Sequence, residues 1–186
     1  MSGSREAVLQ RVRAALGPQP LVPEVPRDYR RSGGGGVDLF CERVADYVAN
    51  VHRVAAADID AAVSRVVDGR AIATPELDIS PAELDGRVAV TGCALAIAET
   101  GTIVLDGGPE SGRRALTLVP DHHVCVVRAE QIVASVPEAI AALEPAAREG
   151  RPITFVSGPS ATSDIELERV EGVHGPRRLD VFVVSA

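Results

Sequence analysis

Short, uninterrupted apolar runs constrain this chain more than any other feature, and Val124-Cys125-Val126-Val127 is the clearest of them. Such a run is too short for a helix and lacks the apolar–polar alternation of a strand with one wet face. It specifies a strand buried on both sides, as in a parallel or mixed sheet covered by helices.

Similar runs recur with helical patterns between them. Strands are expected at His52–Ala55, Arg70–Ala73, Arg87–Val90, Gly101–Leu105, His123–Val127, Ile153–Ser157 and Leu179–Val184. A helix should follow Asp58 to about Val67, Glu130–Val136 should add a helical turn, and Pro137 should open a helix ending at Gly150. This rhythm predicts an α/β fold: a three-layer α/β/α domain over residues 37–186 with a mainly parallel sheet. Ahead of it, residues 1–36 comprise a helix over Ser4–Leu16, with Val8, Leu9, Val12 and Leu16 on one side, and a Pro/Gly/Arg-rich linker. The linker ends in Gly33-Gly34-Gly35-Gly36; no strand pattern precedes these glycines, so a spacer is expected rather than a phosphate loop. Asp38 is the expected cap of a second helix running to about Asn50.

Composition removes several chemistries. All 19 basic residues are arginine, so there is no P-loop lysine, Schiff-base lysine or pyridoxal-phosphate anchor. Aromatic residues are only 3% of the chain and the net charge is −7, which together argue against a nucleic-acid surface. Cys41, Cys93 and Cys125 are too few and too scattered for a zinc or iron–sulfur site, so no cofactor is expected in this chain. The polar N-terminus has no signal-peptide core, and no apolar run approaches the ~20 residues of a membrane span. A cytoplasmic protein is expected.

Ligands of open α/β sheets gather at the carboxyl ends of strands. Three segments are candidates on that rule: the turn after Val90, the loop after Val119 and the loop after Phe155. The last contains Ser157, Gly158, Ser160, Thr162 and Asp164, which suit an anion, with Arg113, Arg177 or Arg178 supplying the charge. Ser163 and Glu166 have capping-box spacing, although Ile165 and Leu167 also fit an edge strand. Glu99, beside Thr100 and Gly101, is either a base or nucleophile or a carboxylate that stabilises its own turn. His122 and His123 are adjacent and should point to opposite faces of a strand, so they do not ligate one metal. A set combining one of them with Asp164 and His174 is the alternative; no metal site is expected. Cys93 has no visible activating partner.

Taken in order, Thr91–Leu105 (with Ala-Glu-Thr-Gly-Thr at 98–102), Leu118–Val127, Ser157–Glu166 and Gly172-Val-His-Gly-Pro176 resemble the LutC/YkgG family. This is the LUD-domain family of lactate utilisation proteins, and the resemblance runs from about Val37 to the C-terminus. Cys93 departs from the small or acidic residue expected in its turn. The resemblance implies a fold like that of NagB, ribose-5-phosphate isomerase and the CoA transferases. It also implies membership of a system that oxidises L-lactate to pyruvate, with iron–sulfur clusters in partner proteins. The chain itself is then expected to be a non-redox component that binds a carboxylate or phosphate. The resemblance assigns no residue a role; the reading of the loops themselves makes Thr100, Gly101, Ser157, Gly158, Ser160, Thr162, Asp164 and His174 the candidate ligand contacts. The alternative is an autonomous isomerase- or CoA-transferase-like enzyme with Glu99 as catalytic nucleophile.

Overall fold

The structure is a computed structural model that describes residues 2–18, 23–162, 170–171 and 175–185. It begins with α1 (Ser2–Leu16) and α2 (Val37–Asp46). The first βα units follow as β1 (Asn50–Ala55), α3 (Ile59–Val67), β2 (Ile72–Ala73), α4 (Pro81–Leu84) and β3 (Val88–Thr91). A hairpin of β4 (Leu95–Ile97) and β5 (Thr102–Leu105) leads through a single 3-10 turn at Arg114–Thr117 to β6 (His122–Arg128). Then come β7 (Ile132–Val133), α5 (Val136–Ala142), α6 (Glu144–Arg148), β8 (Thr154–Val156), β9 (Ala161–Thr162), β10 (Val170–Glu171) and β11 (Arg178–Ser185).

The central sheet is wholly parallel, in the order β1-β11-β6-β3-β2. Its middle strands are the continuous apolar runs, because both of their faces are covered. On one face α3 sets Ala62 and Val67 against Val88, Val124 and Phe182. On the other, Cys125, Val127, Val181 and Val183 meet Phe40, Cys41 and Val44 of α2 together with Ala96, Ile103 and Leu105. Full burial of each such Val, Leu or Phe contributes about 1.5–3 kcal/mol, so this two-sided core dominates the stability.

The α/β class and the parallel central sheet agree with the sequence reading. The run pattern does not reveal that Thr102–Leu105 and Thr154–Val156 belong to a second, mixed sheet, in the order β7-β4-β5-β8. That sheet shows the alternation of two unlike faces. Ala96, Ile103 and Leu105 turn to the parallel sheet, while Leu95, Ile97 and Val104 turn to Ala139 and Leu143 of the α5 region. Both faces are apolar, so the alternation is invisible in the sequence. The segment from Pro137 to Gly150 is two short helices, and the turn expected at Glu130–Val136 is a 3-10 turn leading into β7.

One local expectation changes. Asp38 does not cap α2: Gly36 holds that position, and Asp38 lies in the first turn, where it accepts a hydrogen bond from Arg53 at 2.6 Å. Residues 23–36 have no regular structure, and of the four glycines there Gly33 and Gly35 are packed while Gly34 and Gly36 face open space. A Cβ on Gly33 would stand 2.8 Å from that of Ser135, and one on Gly35 would stand 2.7 Å from Leu39 Cδ2.

Candidate functional site

Beside the starts of β6 and β11, where β8 leaves the second sheet, lies a cleft of about 500 Å³. Its wall comprises Thr154–Ser160, Tyr47, Arg114, Thr117, His123, Gly175, Pro176 and Leu179. The loop 157–160 leaves the carboxyl end of β8, but β8 belongs to the second sheet and runs antiparallel to β5, while His123 and Leu179 are at the amino ends of their parallel strands.

The loop leaving β8 is held by close backbone packing. A Cβ on Gly158 would stand 2.8 Å from both Tyr47 Cβ and its carbonyl oxygen, so only glycine permits this approach. The Ser160 amide donates to Pro176 O at 2.8 Å, which ties the loop to the segment before β11. Ser157 Oγ lies 2.8 Å from Thr102 Oγ1, which in turn lies 2.7 Å from Thr100 Oγ1. A chain of hydroxyls therefore runs from the β4–β5 turn to the cleft.

Positive charge comes from Arg114. Its Nη1 donates to Thr117 O at 3.0 Å and to Thr117 Oγ1 at 3.1 Å. Among the described residues no carboxylate pairs with it. The three arginines named from sequence do not line this cleft: Arg113 borders a separate depression with Gly107 and Gly108, Arg177 faces Asp121 at 3.5 Å, and Arg178 donates to Asp180 at 2.8 Å.

The adjacent histidines diverge as strand geometry requires. His122 faces α3, and its Nε2 donates to Asp180 Oδ2 at 2.7 Å while its Nδ1 accepts from Arg70 at 2.9 Å. The other oxygen of Asp180 accepts from His52 Nε2 at 2.7 Å, and the His52 ring stacks on Phe182. Burial alone would raise the Asp180 pKa. Hydrogen bonds from His122, His52 and Arg178 outweigh that effect and hold it below the ordinary carboxylate range. His123 turns the other way, into the wall of the cleft, with its Nε2 2.8 Å from Thr91 Oγ1. Burial, then the neighbouring His122 and the charge of Arg114, push its pKa down to about 4.

Of the residues expected at a ligand, Ser157, Gly158 and Ser160 line the cleft. Thr100 reaches it only through the hydroxyl chain. Gly101 packs on α2, where a Cβ would meet the Arg43 carbonyl carbon at 2.5 Å and φ is +59°. The backbone of Thr162 pairs with Val170, whereas Asp164 and His174, like Ser163, Ile165, Glu166 and Leu167, lie outside the described residues. Glu99 stands in the β4–β5 turn, where its carboxylate forms an ion pair with Arg30 and its amide donates to Ala134 O at 3.1 Å. It is not part of the cleft wall. Cys93 is fully buried, and contact with Cys125 together with that burial pushes its thiol pKa up, which disfavours the nucleophilic thiolate. Among the described residues no cluster of His, Cys, Asp and Glu is placed to hold a metal ion, and no helix is long and apolar enough to cross a membrane.

The LUD domain matches residues 76–184, which carry most of this cleft. The chain belongs to the LUD-domain family. It is 46% identical to Lactate utilization protein C of Deinococcus radiodurans over 93% of this chain and 91% of that one. It is 34% identical to Lactate utilization protein C of Shouchella clausii and 37% identical to YkgG of Escherichia coli, spanning 44% and 48% of their lengths. A crystal structure of a DUF162 family protein from Deinococcus radiodurans superposes with a TM-score of 0.67 at 40% identity, covering 79% of this chain and 94% of that one.

Sequence reasoning on this LUD domain missed Arg114, Thr117 and Tyr47 and considered His123 only as a metal ligand. The Arg113-Arg114 pair was a usable signal for a cation. Which of the two enters the cleft is decided by the 3-10 turn that starts at Arg114.

Proposed function

We propose that this LUD-domain protein serves lactate utilisation as a non-redox component that binds a small carboxylate or phosphate in the cleft beside β8. L-lactate oxidation itself would be carried by iron–sulfur partner proteins. The observation behind this reading is Arg114: a guanidinium in a cleft wall, without a carboxylate partner among the described residues, beside Ser157, Gly158 and Ser160. A guanidinium and hydroxyls around one cavity are the donor set that recognises an oxyanion. The name borne by the relatives, Lactate utilization protein C, supports the pathway.

Titration of the purified chain with L-lactate, pyruvate and inorganic phosphate by calorimetry tests the anion site. Arg114→Gln should weaken whichever anion binds by about tenfold or more, the worth of a charge-assisted hydrogen bond. An unchanged affinity removes the cleft from consideration. Expression with and without the genomic neighbours, followed by L-lactate oxidation with an artificial acceptor, tests the partnership. Lactate-dependent reduction by the isolated, iron-free chain overturns the non-redox role.

A further inference from the structure

The His123 ring is only 2% exposed, yet it forms part of the cleft wall. Its proton can be located from its neighbours. The Thr91 hydroxyl has a single hydrogen, which it donates to Gly92 O at 2.8 Å, because a carbonyl oxygen only accepts. With that hydrogen on Gly92 O, both contacts are hydrogen bonds only if Thr91 Oγ1 accepts from His123 Nε2, 2.8 Å away, which assigns the proton to Nε2. Burial and the nearby positive charge of Arg114 keep the ring neutral near pH 7. Nδ1 is left as a lone pair, and none of the described residues donates a hydrogen bond to it. Thr117 Oγ1, a hydroxyl in the same wall, is occupied with Arg114 on both sides.

We infer that His123 is a specificity-determining residue: the cleft selects a small anion that carries a hydroxyl beside its charge over the corresponding oxo compound. This inference rests on the anion reading above. Arg114 takes the carboxylate or phosphate, and His123 Nδ1 accepts the hydroxyl hydrogen. A keto oxygen in that place presents a second lone pair to the first, and both lose their hydrogen bonds on leaving water. Sites that hydrogen-bond a substrate hydroxyl discriminate strongly against analogues that cannot supply the donor. Thr91 acts as a positioning residue, since its engagement with Gly92 O assigns the tautomer.

Two ligand sources share this chemistry, 2-hydroxycarboxylates and hydroxylated phosphate esters. The test therefore compares L-lactate with pyruvate, and glycerol 3-phosphate with dihydroxyacetone phosphate, by calorimetry on the full chain. Within at least one pair the hydroxyl compound should bind about tenfold or more tightly. Thr91→Val removes the acceptor at Nε2 and frees the ring to carry its proton on Nδ1. That variant should lose or reverse the preference while keeping its dependence on Arg114. Nitrogen-15 NMR of labelled histidine should report Nε2–H in the wild type and a shift at Nδ1 when the hydroxyl ligand is added.

Equal affinity within both pairs, abolished together by Arg114→Gln, overturns the selectivity and leaves the anion site standing. So does binding of inorganic phosphate alone. An Nδ1–H tautomer in the free protein overturns the inference independently of any ligand. Absence of binding by every probe removes the anion reading and this inference with it.

Discussion

His122 and His123 are consecutive residues on one strand, equally buried, and they serve opposite ends. On the α3 side the buried groups are matched: Asp180 receives His52, His122 and Arg178, and His122 has both ring nitrogens engaged, one of them receiving Arg70. On the cleft side the complement among the described residues is incomplete, since His123 has one nitrogen engaged with Thr91 and Arg114 pairs with no carboxylate there. A saturated buried network contributes to stability and uniqueness of the fold; an unsaturated one beside a cavity retains donors and acceptors that a ligand could satisfy, which is the basis of the proposed site. Burial and residue type are alike in the two regions, and only the count of remaining donors and acceptors separates them.

The sharpest way to break this comparison is Asp180→Asn. It removes the charge on which two imidazoles and a guanidinium converge, and should cost about 3–5 kcal/mol in urea unfolding, the usual result of unpairing a buried ion. Anion affinity in the surviving folded protein should change little. A loss below about 1 kcal/mol would mean that the network is not a stabilising one. The same carboxylate gives a pH signature: its native pKa is lowered, so its stabilisation is present above the ordinary carboxylate range and is lost as pH falls beneath it.

His123 should act in a different window. Its native pKa of about 4 lies below the ordinary 6.5, so the unfolded chain takes up the proton first as pH falls. Stability should therefore decline between pH 6.5 and 4, by about 3 kcal/mol at the lower limit. His123→Gln should flatten this part of the profile without touching the fall below it, as read from urea midpoints between pH 7 and 4. An unflattened profile would place the titration elsewhere.

The smallest effect belongs to Glu99. Its pairing with Arg30 is partly exposed, so Glu99→Gln should change stability by less than about 1 kcal/mol and leave anion affinity unchanged. Incubation of the wild type with acyl-CoA and hydroxylamine should yield no modified Glu99. A trapped adduct would assign covalent chemistry to the β4–β5 turn and make the cleft only part of the site.

The fold was legible where periodicity carries it. Val124–Val127 and Leu179–Val184 announce strands buried on both sides, and they are the middle of the parallel sheet. The second sheet was not legible, because Leu95, Ile97 and Val104 face helices while Ala96, Ile103 and Leu105 face the other sheet, and all are apolar. The hydroxyl-rich stretch from Ser157 to Ser160 was recognisable as cleft material, since its composition suits donors on a turn. It does leave the carboxyl end of its strand, but that strand belongs to the second sheet, where β8 is antiparallel to its neighbour, and this was not legible.

What the sequence alone determined is therefore short-range: the class of fold, the opposite faces of His122 and His123, and arginine as the only side chain able to bring a fixed positive charge. Pairing was decided by the tertiary structure. His52 meets Asp180 across 128 residues, Arg30 meets Glu99 across 69, and His123 meets Thr91 across 32. Backbone periodicity dictates which way a side chain points within a few residues. The partner it finds, and hence whether a histidine is a saturated strut or an open acceptor, depends on how distant strands are brought into register.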